Sequence, residues 1–400
     1  MPSSQIIADA YRYAAVWSSF NPLPWYQGNP RTQISRYYVP PEDSNLISGN
    51  NLAWWKANHP DWILYTCDTN NNPTTQIAYV PGIGFPDVPL DIHNPLVIQY
   101  QLQQSLIPYL IANHYEAAAF DQINFNNILV GGNPELGQSI IPGYYACGVY
   151  QNGTFVRRYA SKSDPQYGVD MLNWLRTARS LLNASHLEIF VNHTVQSQSD
   201  PNEIALLSLV DMEMVEPGFS DYGFYQRQGN AGVFLVTVNW MKWLQSHNVA
   251  IGIIDKFDQG QTFVSPLELE YSIATYLMGE EQGAYLFTAP DNCTQPCTTY
   301  GYGTEQWHQE YTASIGTPCK EMYGGATYDP RNPQIWYRRF SGGISVVNSG
   351  SLPIPSETAT LPTNHTYVDL EGRAITNPLT VASNDAYVLL TGNGNNTGCQ

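Results

Sequence analysis

Charged side chains are scarce in this chain, and positive ones are the scarcest. Only 13% of the 400 residues are charged, with 17 Lys and Arg against 34 Asp and Glu, which gives a formal net charge of −17. A protein that binds phosphate backbones or anionic lipid needs a patch of basic side chains. The composition therefore argues against nucleic acid and membrane surfaces as partners.

Long apolar runs and familiar catalytic motifs are also absent. No run of about 18 apolar residues occurs, so no transmembrane helix is expected. The N-terminal sequence MPSSQIIADAYRYAAVW has no basic stretch followed by a long apolar one, so a signal peptide is either absent from this numbering or replaced by unconventional export. H-E-x-x-H, a P-loop and G-x-S-x-G are missing, and the eight His show no metal-ligand spacing. We expect no cofactor and no metal.

Cysteines and glycosylation sequons, in contrast, are frequent, and both point outside the cytosol. The cysteines are Cys67, Cys147, Cys293, Cys297, Cys319 and Cys399, and the N-x-[ST] sequons begin at Asn152, Asn183, Asn192, Asn292, Asn364 and Asn395. A zinc site is the alternative for Cys293 and Cys297. Their spacing is C-x₃-C and no second pair of cysteine ligands follows, so disulfide bonds are favoured. Which cysteines pair stays open. We predict a secreted, extracellular glycoprotein with disulfide bonds.

Aromatic residues make up 13% of the chain, including ten Trp and 28 Tyr. A large core explains most of them. Many Tyr, Trp and Asn with little charge also suit a surface that binds neutral sugar, because sugar rings offer C–H faces for stacking and hydroxyls for amide groups. Carbohydrate is therefore the expected partner.

Strand-like and helix-like segments alternate along most of the chain, a pattern typical of parallel βα units. The predicted strands are Tyr13–Trp17, Ser35–Val39, Trp62–Cys67, the AAAF run from Ala117, Leu187–Val191, Leu209–Glu216, Ala250–Ile254 and Ala284–Phe287. Eight such strands predict a (β/α)₈ TIM barrel over residues 1–330.

The pattern of predicted secondary structure changes after about Pro330. Trp336–Asn348 is expected to form two strands around a Gly-Gly turn, and short strand-like runs follow among Pro, Asn and Gly. This pattern predicts a small antiparallel, β-sandwich-like domain over residues 331–400.

Asp121 is the strongest catalytic candidate. It follows the apolar run from Ala117 to Phe120 and is itself followed by several amides. The carboxyl end of a buried barrel strand is where such enzymes place catalytic groups. We predict that Asp121 is the nucleophile of a glycosidase, or the base if the enzyme inverts. The alternative is an Asx turn or a helix N-cap.

The second carboxylate is expected on the strand within VDMEMVEPGFSDYG. Glu216 is preferred as the acid because it ends the strand beside Pro217 and Gly218, and its apolar neighbours would raise its pKa. Asp211 is the next candidate.

Other predicted strand ends carry candidates for substrate binding. Asp68 and Asp255 follow strands, Asn124 lies among the amides after Asp121, and Trp17 is a stacking candidate, with turn or core roles as the alternatives. Asn192 is either glycosylated or directed into a pocket, because it cannot be both.

Five segments in order, HNP (from His93), FDQINFNN, DMLNWLRTAR, VDMEMVEPGFSDYG and RRFSGGISVVNSG, resemble the glycoside-hydrolase-like TIM-barrel family called hypothetical glycosyl hydrolase group fifteen. The resemblance covers roughly residues 11–390. It implies a catalytic barrel with a C-terminal β domain, and it places the two strand-end acids at Asp121 and Glu216.

The sequence thus predicts a secreted glycoside-hydrolase-like protein that acts on a neutral polysaccharide or glycan through two carboxylates. The alternative is a non-catalytic extracellular glycoprotein on a degenerate barrel. It would bind sugar or assemble with copies of itself as a homo-oligomer or filament.

Overall fold

The computed structural model describes residues 3–17, 19–81, 87–132, 138–193, 197–216, 218–220, 231–257, 263–281, 283–290, 307–350, 356–391 and 399. The chain divides into two compact units, Met1–Glu213 (unit one) and Met214–Gln400 (unit two). The domain boundary expected between residues 330 and 331 stays a prediction.

Eight α-helices are described in unit one, namely α1 Ser3–Asp9, α2 Leu23–Gly28, α3 Asn45–Ser48, α4 Leu52–Asn58, α5 Pro95–Gln99, α6 Ile107–Ala112, α7 Gln166–Ala184 and α8 Pro201–Leu206. Local sequence explains several ends. The Asn51 side chain accepts a hydrogen bond from the Trp54 N–H at the start of α4, and Asp200 caps α8 by accepting from the Asn202 N–H. Short 3₁₀ turns cover Ala10–Arg12 and Pro60–Trp62.

The strands described in unit one are β1 Ala15–Val16, β2 Gln33–Tyr38, β3 Glu42–Asp43, β4 Tyr65–Cys67, β5 Pro73–Tyr79, β6 Val88–Pro89, β7 Ala117–Phe120, β8 Val130–Gly131, β9 Tyr145–Gln151, β10 Thr154–Arg157 and β11 Glu188–Asn192. β1, β2, β7 and β11 pair in that order, all parallel. Their carboxyl ends therefore meet at one edge. A further strand, β12 Met212–Val215, contains the boundary between the units.

β7 is the most deeply buried of these parallel strands, since all four of its residues are covered. Helix α7 packs against it through Trp174, whose ring lies 4.9 Å from that of Phe120. The Trp174 indole N–H also finds a buried partner, because it donates to the Gln101 side-chain oxygen at 3.0 Å. A strand covered on both faces needs small or apolar side chains throughout, which the AAAF run supplies.

The predicted third barrel strand, Trp62–Cys67, is an error. Its last residues form β4, which pairs antiparallel with β5 and β9 in a sheet of order β10-β9-β4-β5-β8. An apolar run of this length fits a parallel or an antiparallel sheet equally well. The strands that pair with it determine which kind of sheet it joins. A disulfide between Cys67 and Cys147 joins β4 to β9.

Pro108 lies inside a continuous helical segment made of α5, a π-helical stretch and α6. A π-helical stretch, Tyr100–Leu106, connects α5 to α6, and the helix continues to Ala112. Proline lacks an N–H and its ring presses on the carbonyl one turn earlier. The wider π turn immediately before Pro108 accommodates both effects.

Three α-helices are described in unit two, α9 Ala231–Ser246, α10 Pro266–Gly279 and α11 Gly325–Tyr328. A capping box between Ser265 and Glu268 starts α10. The described strands are β13 Ala250–Phe257, β14 Ala284–Pro290, β15 Tyr323–Gly324, β16 Ile335–Phe340, β17 Gly343–Asn348, β18 Glu357–Ala359, β19 Tyr367–Val368, β20 Leu379–Val381 and β21 Asp385–Thr391. β13 and β14 pair in parallel.

The C-terminal part of unit two is antiparallel, as predicted. β16 and β17 form the expected hairpin, and the sheet order is β15-β16-β17-β21-β19. This sheet packs on α10, where the Ser345 hydroxyl donates to the Ala274 carbonyl at 2.8 Å and Glu270 accepts from the Val388 N–H at 3.0 Å. A second disulfide links Cys319 to Cys399.

The two bridges confirm the disulfide prediction for four cysteines, while Cys293 and Cys297 lie outside the described residues. The fold is mixed α/β, with parallel strands in each unit and antiparallel sheets beside them. Seven of the eight predicted barrel segments are parallel-sheet strands, namely β1, β2, β7, β11, β12, β13 and β14. The closed eight-stranded ring stays a prediction.

Candidate active site

Asp121 lies directly after the carboxyl end of β7, as expected. It is half-buried, and its N–H donates to the Tyr38 carbonyl at 2.9 Å, which extends the β2–β7 pairing by one residue. The hydroxyl of Tyr37, on β2, donates to Asp121 Oδ2 at 2.6 Å. Two neighbouring parallel strands thus hold this carboxylate at the edge where barrel enzymes place their chemistry.

Tyr37 is a residue that the sequence analysis missed. Burial is the first cause that raises its pKa far above the ordinary value, and the negative charges of Asp121, Glu42 and Asp87 add to it. The phenol therefore keeps its proton at any pH the protein meets, and it acts as a donor to the carboxylate. The arrangement suits an Asp121 that stays an ionised acceptor.

The chain turns sharply after Asp121. Gln122 has a φ of 57°, a left-handed conformation that non-glycine residues adopt uncommonly. Such local strain is concentrated at functional sites. Asn124 acts here as a turn former, because its side-chain oxygen accepts from the Asn126 N–H at 2.8 Å. Its predicted contact with substrate stays a prediction.

A buried His–Glu pair supports the same edge. His193 follows β11, and its Nε2 lies 2.7 Å from a Glu203 oxygen on α8. Its Nδ1 lies 3.2 Å from the Ile123 carbonyl, two residues after Asp121. Burial lowers the pKa of His193, but the hydrogen bond and charge of Glu203 and the charge of Glu213 outweigh it, so the net pKa is raised. A protonated imidazole donates from both nitrogens and ties β11 to the loop after β7.

The acid Asp43, on β3, is fully covered. The Ser48 hydroxyl and the Trp55 indole N–H donate to its Oδ2 at 2.6 and 3.0 Å. Burial nevertheless raises the pKa of Asp43 to about 7, with a smaller contribution from Asp87. A carboxyl group whose pKa is higher in the folded state favours folding while it is protonated.

We therefore expect Asp43 to make unit one less stable as pH rises from about 4 to about 7. The stability that a protonated Asp43 contributes is fully present below the pKa of the unfolded state. It is lost as pH rises through the pKa of the folded state, and the loss is on the order of 4 kcal/mol. Denaturant unfolding of wild type and Asp43→Asn at pH 5 and pH 8 measures it. The variant should show a smaller loss between the two pH values. Asp68→Asn is the control, since its pKa is lowered rather than raised, and equal pH dependence in all three proteins would contradict the assignment.

Glu216 lies immediately after β12, as predicted. Lys256 Nζ, on β13, is 2.5 Å from its Oε1, and the lysine side chain is 3% exposed against 25% for the glutamate. The apolar neighbours of Glu216 in the sequence give no sign of this cation, which lies 40 residues further along the chain. A buried ammonium favours the ionised carboxylate, so the pairing suits a base or a charge-stabilising role better than a proton donor. A lysine inside the apolar strand AIGIIDKF was the available signal.

Asp255 is not placed to meet a ligand. It is fully buried. Its Oδ1 accepts from the N–H groups of Phe219 and Ser220 at 3.0 Å, and the hydroxyl of Ser272 donates to its Oδ2. Burial raises the pKa of Asp255 to about 6. The geometry gives this acid a structural role, holding the turn after Glu216 against β13 and α10, instead of the expected role in substrate binding.

Asp211 also lies away from the predicted site. It precedes β12, and its Oδ2 accepts from Arg179 Nη2 at 2.6 Å and from the Ile189 N–H at 2.7 Å. It therefore lies at the amino end of the strands, where barrel residues serve stability. The predicted strand began too early, at Leu209, which made Asp211 look internal.

Asp68 and Trp17 differ in position. Asp68 lies in the β4–β5 hairpin turn, where its Oδ1 accepts from the Asn70 and Asn72 N–H groups at 2.9 and 2.8 Å. These backbone hydrogen bonds lower its pKa, and the turn role replaces the expected place at a barrel-strand end. Trp17 directly follows β1 and is half-buried, at the same edge as Asp121.

The sequons differ in exposure. Asn152 and Asn364 are exposed in turns, Asn183 is exposed near the end of α7, and Asn192 is half-buried at the end of β11. Asn292 and Asn395 lie outside the described residues. Turn positions are the most accessible to a glycosylating enzyme, so Asn152 and Asn364 are the sequons that the geometry favours.

A cleft of about 890 Å³ opens elsewhere in unit one, on the antiparallel sheet of β4, β5 and β9. Neither Asp121 nor its neighbours line it. Among the described residues, no group of three or more His, Cys, Asp or Glu is arranged to hold a metal ion. In the same part of the chain, no helix has both the length and the apolar character needed to cross a membrane.

Comparisons with known proteins give distant similarities. No family model matches the chain. Frizzled/smoothened-like sans CRD protein D of Dictyostelium discoideum is 31% identical over 98 residues, 22% of this chain and 22% of that protein. The chain therefore matches about a fifth of that relative's length.

The similar solved structures include glycoside hydrolases. A family GH13_31 enzyme gives a TM-score of 0.47 at 11% identity, covering 92% of this chain and 84% of the other. Pullulanase from Bacillus acidopullulyticus gives 0.46 at 9%, covering 92% and 48%. A GH27 β-L-arabinopyranosidase from Geobacillus stearothermophilus gives 0.43 at 9%, covering 94% and 77%. At these values the similarities carry no argument about the reaction, and the resemblance to group fifteen stays a prediction.

Proposed function

We propose that this chain is a secreted glycoside hydrolase-like protein that cleaves a neutral polysaccharide or glycan with Asp121 as its nucleophile, or as its base if the reaction inverts. The observation that carries the proposal is the Tyr37 hydrogen bond to Asp121 at the carboxyl edge of β2 and β7. A hydroxyl that keeps its proton orients the carboxylate and, by donating a hydrogen bond to it, favours the anionic form. Attack on a sugar carbon or on a water proton requires that state.

Glu216 is retained as the second carboxylate on the sequence argument. Its ion pair with Lys256 makes protonation of Glu216 less favourable, because the ammonium stabilises the ionised carboxylate. A Glu216 that donates a proton must overcome this cost. If Glu216 is the acid, Lys256→Met should shift the alkaline limb of the pH–rate profile to higher pH, since removal of the cation favours the protonated carboxyl that donates the proton. An unchanged profile would remove Glu216 from the acid role.

Secretion and N-glycosylation belong to the same proposal. The two described disulfides and the exposed sequons at Asn152 and Asn364 support it, because both features suit an oxidising export route. Within this proposal the ligand is uncharged carbohydrate, in keeping with the net charge of −17.

The test is a screen of the purified protein, produced in an oxidising compartment, against neutral polysaccharides. Soluble starch, β-glucan, galactomannan and arabinan are incubated with the protein, and released reducing sugar is measured. Release from at least one is expected. No release from any of them would overturn the enzyme proposal in favour of the non-catalytic extracellular glycoprotein.

A further inference from the structure

We propose that the cleft on the antiparallel sheet of unit one is a saccharide-binding site separate from Asp121. The inference rests on the cleft itself, and it holds or fails independently of glycoside hydrolysis. Its walls come from β4, β5, the β9–β10 hairpin and the segment around Pro60. A concave site of about 890 Å³ has the volume of a small-molecule or oligosaccharide pocket.

The aromatic part of the cleft is held rigidly. Tyr65 on β4 and Tyr150 on β9 project from neighbouring antiparallel strands, and their rings meet edge to face at 5.1 Å. Phe155 packs on the other side of Tyr150 at 5.2 Å. The Tyr150 hydroxyl donates to the Thr74 carbonyl at 3.2 Å. Both tyrosines are half-buried and line the cleft, so they present fixed amphipathic surfaces to a ligand.

The polar part of the lining fits an uncharged, hydroxyl-rich ligand. Lys56 and Asp61 are the charged residues of the lining and have opposite signs, so their formal charges cancel. Thr75 and Gln151 are exposed and supply a hydroxyl and an amide. A nucleotide or another anion would meet no net positive charge here. A neutral saccharide would find ring faces for its C–H groups and partners for its hydroxyls.

The ligand could come from two sources. A free polysaccharide could enter the cleft, or the glycan of the protein itself could fold back into it. Asn152, which begins a sequon, is exposed in the hairpin turn and belongs to the cleft lining. A sugar attached there would have a high effective concentration in the cleft because it is tethered. The chemistry recognised is the same in both cases.

The experiment measures retardation of the native protein in gels that contain laminarin, soluble starch or galactomannan. Protein from an oxidising bacterial compartment, which carries no glycan, should be retarded by at least one polysaccharide. Tyr150→Ala should weaken the apparent affinity about tenfold, as loss of an aromatic anchor does. Tyr11→Ala removes a tyrosine that is 67% exposed and outside the cleft, and it should change nothing.

Two further variants keep the result interpretable. Thr75→Arg fills an exposed position of the lining without touching the tyrosine contacts, and it should weaken binding even if Tyr150→Ala folds poorly. Gln151→Ala removes the exposed amide of the lining, and it should weaken binding as well. Lack of retardation in every gel, or equal retardation of wild type, Tyr150→Ala and Thr75→Arg, would overturn the proposal.

Protein made in a glycosylating secretory host distinguishes the two sources. If the glycan on Asn152 occupies the cleft, the glycosylated protein should lose retardation and Asn152→Gln should restore it. Retardation of the glycosylated protein equal to that of the bare one assigns the cleft to free polysaccharide. Either result identifies the ligand source for the same site.

Discussion

Asp121→Asn is expected to lower the rate of glycoside hydrolysis at least about 1,000-fold, which corresponds to roughly 4 kcal/mol of transition-state stabilisation. Asparagine has the same shape and keeps an oxygen to accept the Tyr37 hydrogen bond of 2.6 Å. It lacks the negative charge that attacks the sugar carbon or accepts a proton from water. Folding should therefore survive while turnover is lost. Initial rates of reducing-sugar release and denaturant midpoints measure the two effects separately.

Two control variants sharpen this result. Tyr37→Phe keeps the ring and removes only the donor, so we expect a loss of about 10- to 100-fold in kcat with little change in KM. Asp9→Asn alters a surface acid that pairs with Arg12, and its activity should equal that of wild type. Full activity in Asp121→Asn would remove this residue from the mechanism, whatever the other variants do.

Gly218→Ala is expected to lower the free energy of unfolding of unit two by about 4 kcal/mol. Gly218 has a φ of 63°. A Cβ atom at this position would lie 2.3 Å from Asp255 Oδ1 and 2.5 Å from its Cα. The left-handed backbone alone costs about 1 kcal/mol for a residue with a side chain. The remainder comes from pushing apart the turn and the buried carboxylate that accepts from Phe219 and Ser220.

Gly372→Ala is the matched control in the same unit. Gly372 has a φ of 80°, and an added Cβ would meet no atom within 4 Å. It should therefore lose only about 1 kcal/mol, the backbone component. Denaturant unfolding with unchanged slopes gives both values. Equal losses in the two variants would show that the close approach of Gly218 to Asp255 costs nothing.

Local patterns in the sequence were sufficient to predict several elements near the candidate site. The AAAF run and its end at Asp121 were both placed correctly, because a strand buried on both faces leaves a strong local signal in the sequence. The C-terminal hairpin of β16 and β17 was found in the same way, since two strand-like runs flank a Gly-Gly turn.

Contacts between residues far apart in the sequence determine the features that could not be predicted. Tyr37 and Asp121 are 84 residues apart, and Glu216 and Lys256 are 40 apart, so no local pattern joins either pair. The segment ending at Cys67 was assigned to the wrong sheet because its partners, β5 and β9, are what make it antiparallel. An error of three residues in the start of β12 was enough to move Asp211 from one end of the strand to the other.

The bridge between Cys67 and Cys147 has a practical consequence for handling the protein. It closes a separation of 80 residues and joins the two strands that carry Tyr65 and Tyr150. Cys67 and Cys147 are fully buried, so an added thiol reaches this crosslink only when the sheet opens transiently, and its reduction would then loosen the sheet beneath both rings. The hydrogen bond between Tyr37 and Asp121 involves neither cysteine. Samples kept in reductant should therefore lose affinity for polysaccharide before they lose turnover.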